Sequence, residues 1–328
     1  MLKTGWQQLL DSRIIQVPIQ FSKKIIIPGF DGLPLYNVAT FFIKGIQKGS
    51  LTSRASSLSF TFFLAIFPAI IFFFTIIPYI PITHFQDTLL ALLKDIFPDK
   101  AFDAAQTTLE DIVKRQRAGL LSIGFILALY FSTNGVDTII REFNNTYHTI
   151  ETRPWLKRRL ISLFLVILIS FIVIIAITLI TAGTVVLHFL VKHGILQNSF
   201  TIFLLETGRW LVITALIFFS VSFLYYYAPA KKTKFRLFSP GSMLATFLSL
   251  TTSIGFNFYV SNFSKYNTLY GSIGTLLIVL LWIYFNAIIL LIGFELNASI
   301  LNAKRNNQSP KIITKLPKNR FYDHRNNR

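Results

Sequence analysis

The sequence predicts an all-α polytopic membrane protein, a bundle of six transmembrane helices with an amphipathic helical outer loop and both termini cytoplasmic. Three observations predict it. Of 328 residues, 53% are hydrophobic, 34 are Phe and only 14% are charged, where an ordinary soluble domain carries about 25% charge. Six apolar runs reach the roughly 17 to 25 residues needed to cross a hydrocarbon core about 30 Å thick. Cut at those runs, the chain places 24 of its 32 Lys and Arg on the side holding both termini and 8 on the other, which is the bias of the positive-inside rule.

Residues 1–57 form a polar cytoplasmic prelude. Its basic residues, Arg13, Lys23, Lys24 and Arg54 among them, are spread too widely for the charged region of a cleavable signal peptide, so no processing is expected. Val38, Phe41, Phe42 and Ile46 recur at helical spacing and predict a short amphipathic helix leading into the first span. The transmembrane domain is assigned to residues 58–300, with spans over Leu58–Ile80, Gly119–Ile140, Leu160–Leu190, Trp210–Tyr227, Phe238–Val260 and Ile273–Phe294.

The external loop, about residues 82–118, reads as two amphipathic helices split at Pro98. Leu89, Leu93, Ile96 and Phe97 make one apolar stripe, and Phe102, Ala105, Leu109 and Ile112 the other, with Asp99 as an N-cap. Asp87, Asp95, Asp99, Asp103, Glu110 and Asp111 nearly neutralise its basic residues. The surplus behind the net charge of +18 is therefore cytoplasmic, in runs such as Arg153–Arg159 and Lys231–Arg236. Each such charge near an anionic leaflet is worth about 1 kcal/mol, so the expected partners are anionic lipid head groups and not nucleic acid. Residues 301–328 are basic and Asn-rich, and a disordered cytoplasmic tail is predicted there.

Polar residues keep helical spacing inside several spans. Arg54, Ser57 and Thr61 precede Pro68 in the first; Asn134, Asp137, Arg141 and Asn145 end the second; Thr178, Thr181, Thr184 and His188 lie in the third; Ser242, Thr246, Ser249, Ser253 and Asn257 mark the fifth. Hydroxyls and amides bond between membrane helices at roughly 0.6 kcal/mol each without further role, so a structural reading stands beside a functional one, a hydrophilic groove through which a polar group passes. Pro68 and Pro78 offer a kink or break in the first span.

Carboxylates are rarer, because each costs about 2.5 to 3.5 kcal/mol at the bilayer midplane. Asp137 and Glu295 are the two that fall within or directly beside the apolar runs. Asp137 lies roughly 26 Å beyond Leu120 along a helix, and Glu295 ends the sixth span, so both belong at the basic face, where Arg54, Arg141, Arg159 or Lys231 can pair with Glu295. The alternatives are an ion pair locking the helix ends and a gate or proton-coupled site. On the last helix Asn286, Gly293 and Asn297 share one face and Glu295 the opposite one, which predicts a helix surrounded by protein.

Four stretches, Ser53–Pro68, Ser132–Leu160, Tyr225–Gly241 and Tyr270–Ile300, resemble in order the YihY/BrkB family of bacterial inner-membrane proteins. The resemblance covers roughly residues 38–301. It implies six spans with both termini inside, in agreement with the charge count, and an association with envelope and serum-resistance phenotypes. The family's G-A-E-L-N-A ending corresponds to Gly293, Phe294, Glu295, Leu296, Asn297 and Ala298, with Phe in place of the first alanine.

The family also carries the label ribonuclease BN, against which the residues speak. Phosphodiester hydrolysis needs metal ligands or an acid and base pair, yet His84, His148, His188, His193 and His324 fall in different segments, cysteine is absent, and Gly271–Gly274 is too short for a phosphate loop. No catalytic residue, cofactor or metal is expected. The expected function is transport or organisation of an envelope lipid or other amphipathic component, with Arg54, Ser57, Pro68, Asn134, Asp137, Arg141, Asn145, Ser249, Ser253, Asn257, Glu295 and Asn297 as its polar seam. The alternatives are an envelope scaffold whose outer loop docks a protein partner, with or without homo-oligomer formation, and a membrane enzyme using Asp137 or Glu295.

Overall fold

The computed structural model describes residues 20–79, 86–87, 90, 106, 110–111, 113–145, 152–193, 199–230, 238–262 and 265–308. Among these residues the secondary structure is helical, apart from one isolated antiparallel bridge between Ile26 and Pro34. The helices are α1 (Leu35–Lys48), α2 (Leu51–Ile76) with a 3-10 turn at Ile77–Tyr79, α3 (Ala118–Asn144), α4 (Trp155–Lys192), α5 (Ser199–Tyr227), α6 (Pro240–Asn262) and α7 (Lys265–Gln308). Six of them, α2 to α7, are long and apolar enough to cross a membrane.

The chain divides into two compact units, Phe42–Asn297 and the pair of segments Met1–Phe41 and Ala298–Arg328. In the larger unit, α2 packs on α3, α3 on α4, α4 on α5 and α5 on α6. The seventh helix is held by three of the others. Tyr225 Oη donates to the Leu290 carbonyl at 2.7 Å, Phe294 stacks on Phe143 with ring centroids 4.2 Å apart, and Gly293 meets Gly241 so closely that a Cβ on Gly293 would lie 2.6 Å from the Gly241 carbonyl oxygen. Phe294 thus fills space with a ring, while the close helix approach is made at the glycine before it. On the outside, Phe60, Phe73, Ile126, Phe171, Phe247 and Phe258 are exposed, as expected of a surface solvated by acyl chains.

Pro68 is buried within a helix that continues to Ile76, and Pro78 lies in the 3-10 turn that ends it. Of the two, only Pro78 coincides with a break in α-helical geometry. Between α1 and α2 the chain turns in two residues. Gly49 N–H donates to the Gly45 carbonyl at 2.8 Å, and Ser50 takes a left-handed conformation with φ 47°.

The smaller unit has its own ties. Gly29, Asp31 and Gly32 all have positive φ, a conformation that glycine and aspartate tolerate best, and they fold the chain so that Leu35 N–H reaches the Ile25 carbonyl at 2.9 Å. Asp31 Oδ2 accepts from Lys304 Nζ at 2.9 Å. Residues 301–308, where the predicted tail begins, are helical, with Asn302 Nδ2 bonded to the Ala298 carbonyl at 2.9 Å. The rest of the tail lies outside the described residues.

In the outer loop Gln86, Asp87, Leu90, Gln106, Glu110, Asp111, Val113 and Lys114 are helical. Lys114 pairs with Asp87 at 2.8 Å, and the hydrogen bond to that carboxylate holds the ammonium above its usual range. Arg117 and Arg115 both reach Asp111. The predicted break at Pro98, the cap at Asp99 and both apolar stripes lie outside the described residues.

Candidate functional site

The polar residues of the larger unit concentrate at one end of the bundle, where α2, α4 and α6 begin and α3, α5 and α7 end. The centre is Arg54, in the first turn of α2 and 5% exposed. Its Nη2 donates to the Glu142 carbonyl at 2.6 Å and its Nη1 to the Gly49 carbonyl at 3.3 Å. Nε lies 3.7 Å from the Glu142 carboxylate, and Nη1 lies 3.8 Å from that of Glu295. Of the four cations named as partners for Glu295, Arg54 is the one within reach among the described residues.

Glu295 is 1% exposed, so its charge is taken out of water almost completely. Gly45 makes room for it, since a Cβ there would come within 2.8 Å of Glu295 Cδ. One guanidinium thus faces two carboxylates from different helices. In a medium of low effective dielectric this coupling is stronger than the same contacts at a surface, and loss of one member leaves the others costly.

A second cluster forms on α3. Asp137, 6% exposed, accepts from Arg158 Nε of α4 at 2.5 Å and lies 3.5 Å from Arg141 one turn on, while Arg141 Nη2 donates to Thr138 Oγ1 at 2.9 Å. Arg159, one of the four cations named for Glu295, lies over the Tyr130 ring at 5.1 Å. A third cluster joins α6 to α7: Asn297 Oδ1 accepts from Gly241 N–H at 2.8 Å and its Nδ2 donates to Ser239 Oγ at 3.0 Å. Glu295 and Asn297 therefore serve opposite faces of one helix.

The remaining seam residues are more dispersed. Ser57 is exposed and its carbonyl accepts from Thr61. Asn134 is half-buried, its carbonyl accepting from Thr138, and Asn145 is exposed. On α6, Ser242 and Thr246 are buried, Ser249 is half-buried, and Ser253 and Asn257 are exposed. The stripe therefore starts inside the protein and emerges on its surface. Thr246 Oγ1, at the point of emergence, is buried with no hydrogen-bond partner among the described residues. Thr178 is exposed; the side chains of Thr181, Thr184 and His188 lie outside the described residues.

Sequence reasoning passed over Glu142, Arg158, Gly45 and, above all, Asn144. This residue is 0% exposed. Its Nδ2 donates to the Ile140 and Ala228 carbonyls at 2.7 and 3.2 Å, and its Oδ1 accepts from Ala230 N–H at 2.7 Å. Arg153 Nη2 adds a bond to the same Ala228 carbonyl at 2.5 Å. The signal was an adjacent pair, Asn144 and Asn145, of which spacing selected the exposed member. Among the described residues no group of three His, Asp or Glu could hold a metal ion.

Fold and site together define a six-helix polytopic membrane protein whose helix ends are tied by buried ion pairs and asparagine bridges. The chain belongs to the virulence factor BrkB family, which matches residues 42–313, as the four sequence motifs anticipated. It is 31% identical over 253 residues to the ribonuclease-like protein YfkH of Bacillus subtilis, covering 77% of this chain and 91% of that one. To a UPF0761 membrane protein of Chromobacterium violaceum it is 26% identical over 275 residues, covering 79% and 61%. To one of Alteromonas mediterranea it is 24% identical over 278 residues, covering 84% and 92%. The chain thus spans under two thirds of the Chromobacterium relative and nearly all of the other two. No solved structure matches it.

Proposed function

We propose that this is a bacterial inner-membrane protein, with both termini cytoplasmic, that moves or organises an amphipathic envelope component, a lipid above all. The observation that carries the reading is the polar stripe of α6, which runs from buried Ser242 and Thr246 through Ser249 to exposed Ser253 and Asn257. A polar track open to the membrane along one side suits a head group that travels beside the protein while its tails stay in hydrocarbon. The buried hydroxyl of Thr246, without a partner among the described residues, supports it, because such a group is costly unless something bonds it.

The chemistry is non-enzymatic in this reading. The ribonuclease-like name belongs to the Bacillus relative, and in this chain the buried carboxylates face arginines, where they are neutralised instead of poised for proton transfer to a substrate. That same pairing favours the second reading, an envelope scaffold without transport, in which the ion clusters only lock the helix ends.

Purified protein in liposomes decides between them. Fluorescent lipid analogues and a membrane-impermeant reductant report head-group exchange between leaflets for the wild type, for Glu295→Gln and for a Ser249→Leu, Ser253→Leu double variant. The proposal expects exchange by wild type and a loss of at least tenfold in the double variant. Wild-type liposomes indistinguishable from empty ones over several lipid classes would sink the transport reading and leave the scaffold.

A further inference from the structure

Far from these clusters, α5 carries a cation that nothing above accounts for. Arg209 lies in the first turn of the apolar segment Thr207–Tyr227, 16 residues before Tyr225 and so roughly 24 Å along the helix from the polar end. Its Nε and Nη1 are both buried, and neither has a hydrogen-bond partner among the described residues. The arginine is held rather than waving free: a Cβ on Gly183 of α4 would lie 3.1 Å from Arg209 Cδ, so α4 crosses the arginine stem at the residue that leaves it room. Beside it Trp210 and Leu211 are 59% and 66% exposed, the mixture of indole and aliphatic side chains that settles at the level of lipid head groups.

We infer that Arg209 is an anion site, and that its ligand is a phosphate group presented at the membrane interface. A guanidinium half-buried in an apolar helix pair loses part of its hydration, and two buried nitrogens without acceptors among the described residues leave that loss uncompensated. Its planar fork matches two oxygens of one phosphate, a geometry that an ammonium does not offer. Of the carboxylates described above, Asp137, Glu142 and Glu295 belong to the opposite end of the larger unit, and Asp87 and Asp111 have basic partners in the outer loop. The phosphate comes from a phospholipid head group or from solution, and the inference holds whether the protein moves lipid or only organises it.

The test uses the full chain in a phosphate-free detergent, with intrinsic tryptophan fluorescence as the readout. Wild type, Arg209→Gln and Arg209→Lys are titrated with short-chain phosphatidylglycerol, with a glycolipid that lacks phosphate, and with inorganic phosphate. The expected result is saturable binding of phosphatidylglycerol, weakened about tenfold in Arg209→Gln, as befits loss of a charge-assisted hydrogen bond. Arg209→Lys falls between, and the glycolipid does not distinguish the three. If inorganic phosphate alone shows the same ranking, the site stands and its ligand is soluble. If Arg209→Gln melts as wild type does and neither phosphate probe separates the two, the site does not exist. Glu206 precedes Arg209 by one turn, which supplies a further control. Equal destabilisation by Glu206→Gln and Arg209→Gln, with no response to either probe, identifies an internal ion pair and overturns the inference.

Discussion

At the scale of single residues, the contact between Gly45 and Glu295 concentrates the physics of this protein. A carboxylate 1% exposed needs compensation, which Arg54 supplies at 3.8 Å, and it fits there because α1 presents no side chain at Gly45. Gly45→Ala would drive a methyl group into the carboxylate, forcing Glu295 away from its cation. A drop in thermal stability in detergent is expected, against no change for Gly119→Ala, where nothing lies within 4 Å. The charges themselves should be strongly non-additive. Arg54→Gln alone and Glu295→Gln alone each remove one member of the buried pair and should cost about 3 kcal/mol, whereas the double variant should lose clearly less than the sum. Additive losses in a double-mutant cycle would mean that the two groups do not interact.

Helices and their joints pose a different question, because here the register of one residue decides the outcome. Asn144 bridges the end of α3 to the chain leaving α5 through bonds to Ala228 and Ala230, while Asn145 is exposed. Asn144→Ala should cost about 2 kcal/mol by orphaning buried backbone groups, and Asn145→Ala should be nearly silent; chemical denaturation in mixed micelles reads both. Equal effects would refute the bridge. The sequence marked Asn145 because it continues the spacing Asp137, Arg141, Asn145, yet neighbouring helical positions differ by about 100°, and periodicity cannot tell which of two adjacent asparagines turns inward. The six spans and the placement of Asp137 and Glu295 were legible because each departs sharply from its apolar surroundings. Glu142 and Arg158 were not, since charges at span ends are ordinary. Nor could spacing reveal that Gly45 meets Glu295, a contact between positions 250 residues apart, or that the α6 stripe turns outward beyond Ser249: a pattern names a face and leaves open what lies opposite it.

For the molecule as a whole, orientation is the property on which the other assignments depend. The count of 24 Lys and Arg against 8 predicts, by the positive-inside rule, that both termini lie in the cytoplasm. On that prediction the Arg54 end is the inner face and Arg209 lies at the outer leaflet. A chain with no cysteine is suited to a direct test, because every introduced thiol is the only one to react. Gln106, Lys48 and Asn307 are all exposed, so single cysteines there report accessibility without disturbing a core. A maleimide that cannot cross the membrane should label Gln106→Cys on intact spheroplasts, and Lys48→Cys and Asn307→Cys only after lysis. The reverse pattern would invert the bundle, assign the basic runs to the outer surface and move the Arg209 site to the inner leaflet. The phosphate chemistry of Arg209 would survive that inversion, since it rests on the guanidinium and its surroundings. The proposed path along α6 would survive it as well, with its buried end opening outward.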